Sequence, residues 1–105
     1  AKAEAEVESL ESVDIGLSIE VVNQIYASER REFAIAYQTM VVRLSAIKAS
    51  IKANETIGNP QSVEQFKTQE SQVERDMKHF LRSIKIIDKV CPEAKELMQK
   101  MMKRQ

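Results

Sequence analysis

The chain has 105 residues, room for one domain and one core, and carries 16 basic against 16 acidic side chains. That balance argues against non-specific nucleic-acid binding, which needs surplus positive charge to displace counterions. It also offers neither an acidic tail nor a polybasic membrane patch. The single cysteine, Cys91, excludes an internal disulfide and a cysteine-rich zinc site, and it leaves the compartment open.

Two glycines, two prolines and no tryptophan leave few breaks, and the good helix formers Ala, Glu, Lys, Gln, Leu and Met are plentiful. A hydrophobic content of 43 % suits a folded protein and is too high for a disordered one. Together these predict an all-α fold with few, long elements. No apolar run approaches the roughly 20 residues that span a bilayer. The charged stretch at residues 1–8 carries no signal-peptide pattern, so no membrane contact is expected of this segment itself.

Residues 1–105 are read as one domain, with helix one over about residues 12–57. Gly16 costs about 1 kcal/mol in a helix interior, so the start is placed at a cap, Ser12 or Asp14. Two stripes run along this helix at alternating steps of three and four residues. The first is Ile15, Ile19, Val22, Tyr26, Phe33, Tyr37, Met40, Leu44, Ile47 and Ile51. On a helical wheel it falls within about 40° of one line, which makes it the face for helix two. The second lies nearly opposite: Val7, Leu10, Asp14, Leu17, Val21, Gln24, Ser28, Arg31, Ile35, Gln38, Val42, Ser45 and Ala49. It is apolar at first, polar in the middle and small toward its end.

The strong punctuation lies at residues 54–62. Gly58 takes positive φ without a Cβ penalty, which suits the residue that follows a helix. Pro60 suits a first helical turn, and Ser62 with Gln65 makes a capping box. The turn is therefore placed at residues 58–61 and helix two at about 62–104. A break this short predicts an antiparallel two-helix hairpin.

Helix two reads as a heptad seam of Val63, Phe66, Glu70, Val73, Met77, Phe80, Ile84, Ile87, Cys91, Ala94, Met98 and Met101. Only Glu70 in it is polar, and Leu81, Val90 and Leu97 widen the stripe. Pro92 removes a backbone donor and predicts a kink or a restart, with residues 93–104 as a separate short segment. A hairpin buries one stripe per helix, which is marginal for stability. The second stripe of helix one predicts another neighbour, met through Val21, Ile35, Val42 and Ala49. Two hairpins joined as a homodimeric four-helix bundle would bury it.

Candidate chemistry is sparse. Asp76 and His79 have helical metal-ligand spacing, but no second such pair completes a dinuclear site, and a solvated histidine is the expectation. Cys91 falls on the seam, where a small buried hydrophobe belongs. Glu70 and Lys48 are expected to form a partly buried pair that sets register. Folding about the turn brings Glu29 near Asp88 and Lys89. Met98, Met101 and Met102 read as seam or frayed-end residues rather than as an adaptable surface. No metal, cofactor or catalytic residue is implied.

The polar cluster Gln24, Ser28, Arg31 and Gln38 occupies core-type positions among Val21, Ile35 and Val42. Two arginines brought together across a dimer axis repel unless an anion or carboxylate lies between them. The arrangement resembles the extracytoplasmic sensor domains of bacterial chemoreceptors and sensor kinases. The resemblance implies dimeric bundles that hold a ligand at the seam through arginine and polar side chains. Residues 27–31 and 38–40 echo the arginine-glutamine signature of nitrate-type sensors at a different spacing, so that family's ligand residues are not transferred. On this reading the chain is a non-catalytic signal-transducing domain, extracytoplasmic, that binds a small anion. The alternative is a soluble adaptor or chaperone-like hairpin whose second stripe binds a partner helix.

Overall fold

The computed structural model describes residues 2–103, with side chains described from Ser18 onward. Among them the chain is all-helical and holds no strand: α1 (Lys2–Ile57), α2 (Pro60–Val90) and α3 (Glu93–Lys103). α1 starts before the caps expected at Ser12 and Asp14 and passes through Gly16. Residues 2–11 are rich in Ala and Glu, and such helix formers outweigh one glycine. The side chains of Val7, Leu10, Asp14, Ile15 and Leu17 lie outside the described residues.

The chain divides into two compact units. One, here the central unit, is Arg31–Ile86; the other, the terminal unit, combines Ala1–Arg30 with Ile87–Gln105.

In the central unit α1 ends in a complete glycine C-cap. Gly58, at φ 76°, donates to the Glu55 carbonyl at 3.2 Å, and the Asn59 amide donates to the Asn54 carbonyl at 2.9 Å. These two bonds satisfy carbonyls that a helix end otherwise orphans. α2 then starts earlier than the Ser62–Gln65 box suggests. Asn59 is its cap: its side-chain oxygen accepts from the Ser62 amide at 3.4 Å, and its carbonyl accepts from Val63 at 3.2 Å. Pro60 therefore takes the first helical position, where a missing N–H costs nothing.

Ile47, Ile51 and Val73 form the core of this unit, with Met40, Leu44, Val63, Phe66 and Met77 packed against it. Phe33 and Phe80 lie with ring centroids 6.2 Å apart. The seam read from helix two is followed closely here. Val63, Phe66, Glu70, Met77, Phe80 and Ile84 are half-buried and Val73 is buried.

In the terminal unit the last hydrogen bond of α2 runs from the Cys91 amide to the Ile87 carbonyl, 2.8 Å. Pro92 has no N–H to continue the ladder, and the Ala94 amide turns back to the Cys91 carbonyl at 3.0 Å to open α3. Glu93 and Glu96 at the start of α3, with Lys100 and Lys103 at its end, complement the helix dipole. Ala27, Ile87, Cys91, Ala94 and Met98 are buried. α1 departs here from its expected stripe: Ile19 and Val22 are exposed, while Asn23 is half-buried and Ala27 and Arg30 are buried. Here α1 meets Cys91 through Asn23 and Met98 of α3 through Arg30, so its covered face follows Asn23, Ala27 and Arg30 rather than the straight apolar line.

A Cβ built on Gly58 meets nothing within 4 Å, so the cost of a side chain there is conformational alone. Gly58→Ala is expected to lower stability by about 1 kcal/mol in urea denaturation, and Gly58→Asn by less, since asparagine tolerates the left-handed region. A neutral Gly58→Ala would mean that the glycine cap does not hold in solution.

Candidate interaction surface and a buried ion pair

On the central unit's part of the second stripe, Ile35 is 50 % and Val42 70 % exposed, and Gln38, Ser45 and Ala49 are exposed with them. These residues step by three and four along α1. The opposite line, Tyr37, Met40, Leu44, Ile47 and Ile51, is half-buried or buried. Arg31 is half-buried and already has an interaction of its own. In the terminal unit Val21, Gln24 and Ser28 are exposed. The expected ligand set is thus divided, with Gln24 and Ser28 in one unit and Arg31 and Gln38 in the other.

The other candidates resolve within their units. Asp76 accepts a hydrogen bond from the Gln72 amide nitrogen at 3.1 Å. His79 is exposed, and its ring meets Phe33 edge-on at 6.5 Å and Phe80 at 5.7 Å. Among the described residues no three His, Cys, Asp or Glu side chains gather as metal ligands would. The expected Glu70–Lys48 pair is not formed: Glu70 is half-buried, Lys48 is exposed, and no ion pair joins them. An exposed lysine gains little from such a partner. Among the described residues no helix is long and apolar enough to cross a membrane.

The most developed polar arrangement belongs to the terminal unit and centres on Arg30. It is the one buried charged residue among the described residues, at 9 % exposure. Its Nε donates to Asp88 Oδ1 at 2.6 Å and its Nη2 to Asp88 Oδ2 at 3.1 Å, a two-pronged pairing of planar groups. Nη1 donates to Met98 Sδ at 3.4 Å. Nearby, the Cys91 thiol donates to Asn23 Oδ1 at 3.1 Å. α1 supplies Asn23 and Arg30, α2 supplies Asp88, and α3 supplies Met98.

Sequence reasoning placed Glu29 beside Asp88 and overlooked its neighbour Arg30. A signal was there. The first stripe steps from Tyr26 to Phe33 with a rung missing, and position 30 is that rung. The thiol of Cys91 is buried on the seam, as a small hydrophobe would be. Met98 is buried as well, Met101 is half-buried and Met102 exposed.

No family model matches the sequence, and no curated protein or solved structure matches it either.

The hydrogen bond from Arg30 holds the Asp88 carboxyl below the usual carboxylate range. Burial opposes this shift, and the positive charges of Arg30 and Lys95, each a smaller effect than burial, lower it further. A depressed carboxylate contributes stability above its unfolded pKa, and this is lost as pH falls through the folded value. Stability should therefore drop below about pH 4. Asp88→Asn should be less stable than wild type at neutral pH and show a flatter acid limb when urea midpoints are followed from pH 7 to pH 3. Parallel acid limbs in the two proteins would show that the ion pair carries no linked stability.

Proposed function

We propose that this chain is a non-catalytic helical association module, and that a second copy covers the exposed stripe on the central unit's part of α1. The observation that carries the reading is the line Ile35, Gln38, Val42, Ser45 and Ala49. It is exposed throughout, while the opposite face of the same helix is packed. Isolated exposed apolar residues are ordinary, but a line at helical spacing marks a contact surface. A net charge of zero raises no electrostatic barrier between two identical copies.

In this reading α1 and α2 of the central unit are an antiparallel pair. Phe33, far from the Gly58 cap on α1, meets Phe80, far from it on α2. Two such pairs form a four-helix bundle through the α1 stripe. Light scattering at micromolar concentration should give a dimer. Ile35→Glu and Val42→Glu should yield monomers of undiminished far-UV helicity. Leu44→Glu should instead unfold the unit, because an unpaired charge in a packed core costs several kcal/mol. A monomeric wild type would overturn the reading, and equal behaviour of the two faces would invert it.

Gln38 on this line, with the half-buried Arg31 one turn before Ile35, favours a ligand-linked form of the same reading, a receptor sensor holding a small anion between copies. Thermal shifts with inorganic anions and small carboxylates test it. A bound anion should add RT ln(1 + [L]/Kd), about 2.7 kcal/mol at a hundredfold excess over Kd, and Arg31→Ala should abolish the gain. No selective shift, or an equal shift in Arg31→Ala, leaves plain association or a partner helix as the role.

A further inference from the structure

α3 reaches the terminal core by its own route. The ladder of α2 ends at Cys91, so α3 is joined to it by the Cys91-Pro92 joint, by the single Ala94–Cys91 backbone bond and by what its side chains bury. Those side chains are Ala94 and Met98, with Leu97 and Met101 half-buried. A helix of 11 residues falls short of the about 12–15 needed for even marginal stability alone in water. Its docking therefore decides whether it exists. Arg30 stands at that docking point, with one nitrogen on Met98 of α3 and two on Asp88 of α2.

The two halves of the ion pair are unequal. The Arg30 side chain is 11 % exposed and that of Asp88 36 %. Without Arg30, the Asp88 carboxylate still meets water, and Lys95 lies close enough to favour its charge. Without Asp88, a buried guanidinium keeps only the Met98 sulfur, a weak acceptor. Glu93 lies near the Cys91 sulfur. A buried charge stripped of its partner is far more costly than a solvated one. Arg30 can then reach water only by displacing what lies against it, and that includes Met98.

We propose that α3 is a releasable strap, locked over the Ala27–Arg30 face of α1 by the Asp88 carboxylate, and that loss of this carboxylate frees α3 and uncovers the Cys91 thiol. None of these residues belongs to the association stripe of the central unit.

Cys91 is the only cysteine, so its reaction with an aromatic disulfide reagent at neutral pH reports release in the full chain. Asp88→Ala should speed labelling by about tenfold or more and raise hydrogen exchange across α3, with central-unit amides still protected. Arg30→Met should label at close to the wild-type rate, and so should Arg30→Met/Asp88→Ala, because neither leaves a buried charge. Equal acceleration in Asp88→Ala and Arg30→Met would reduce the pair to an ordinary prop and overturn the lock. No acceleration in Asp88→Ala, or loss of protection in the central unit as well, would overturn the strap.

Discussion

A helix packed against one neighbour can shield one stripe of its surface, and the features of both units follow from that constraint. No large side chain among the described residues is fully buried. The two fully covered positions among these residues are the small Ala27 and Ala94, and the larger ones, such as Ile47, Val73, Ile87 and Met98, each keep some surface in water. Apolar burial stabilises by about 25 cal/mol per Å² removed from water, so half-covered side chains yield only part of their worth. Thin cores of this kind depend on well-satisfied helix ends. The caps at Gly58 and Asn59 supply them between α1 and α2.

Arg30 is costly under the same constraint. It occupies a rung where an apolar side chain would bury area without desolvating a charge. Replacing a buried ion pair by apolar residues of similar volume is often neutral or stabilising, so the pair is weak evidence for stability. What it supplies is geometry. The planar guanidinium matches one carboxylate in one orientation, and its third nitrogen donates weakly to the Met98 sulfur of α3. A greasy contact between Ala27, Ala94 and Met98 would tolerate sliding; a fork bonded to Asp88 does not.

The apolar periodicity of helix two was legible from sequence because one face repeats without a polar gap except Glu70. All of its seam residues from Val63 to Met101 are buried or half-buried. Helix one was legible from Phe33 onward for the same reason. Toward its start the reading failed at Ile19 and Val22, since hydrophobic periodicity cannot say which partner a face will meet once Pro92 redirects the chain. Caps were half legible: Gly58 announces itself by the φ it permits, whereas Asn59, Ser62 and Gln65 compete as starts and only hydrogen bonds decide among them. Arg30 escaped because hydrophobic periodicity counts apolar residues and passes over a charged one. A missing rung between Tyr26 and Phe33, opposite an aspartate on the seam's edge, is the pattern that would have found it.

The exposed stripe of the central unit differs in kind from its scattered apolar residues. Ile57 and Leu81 are exposed singly, which an unpartnered surface tolerates without explanation. Ile35 and Val42 lie two turns apart on one line, and Ser45 and Ala49 extend that line toward the Gly58 cap. Separation between packed helices follows the side chains at the contact, roughly 8–10 Å from small to large. A stripe that runs from isoleucine and valine to serine and alanine therefore admits a neighbour closest at its small end. A random solvated face has no reason to taper, so the gradient in side-chain size is the part of the surface that solvent exposure alone leaves unexplained.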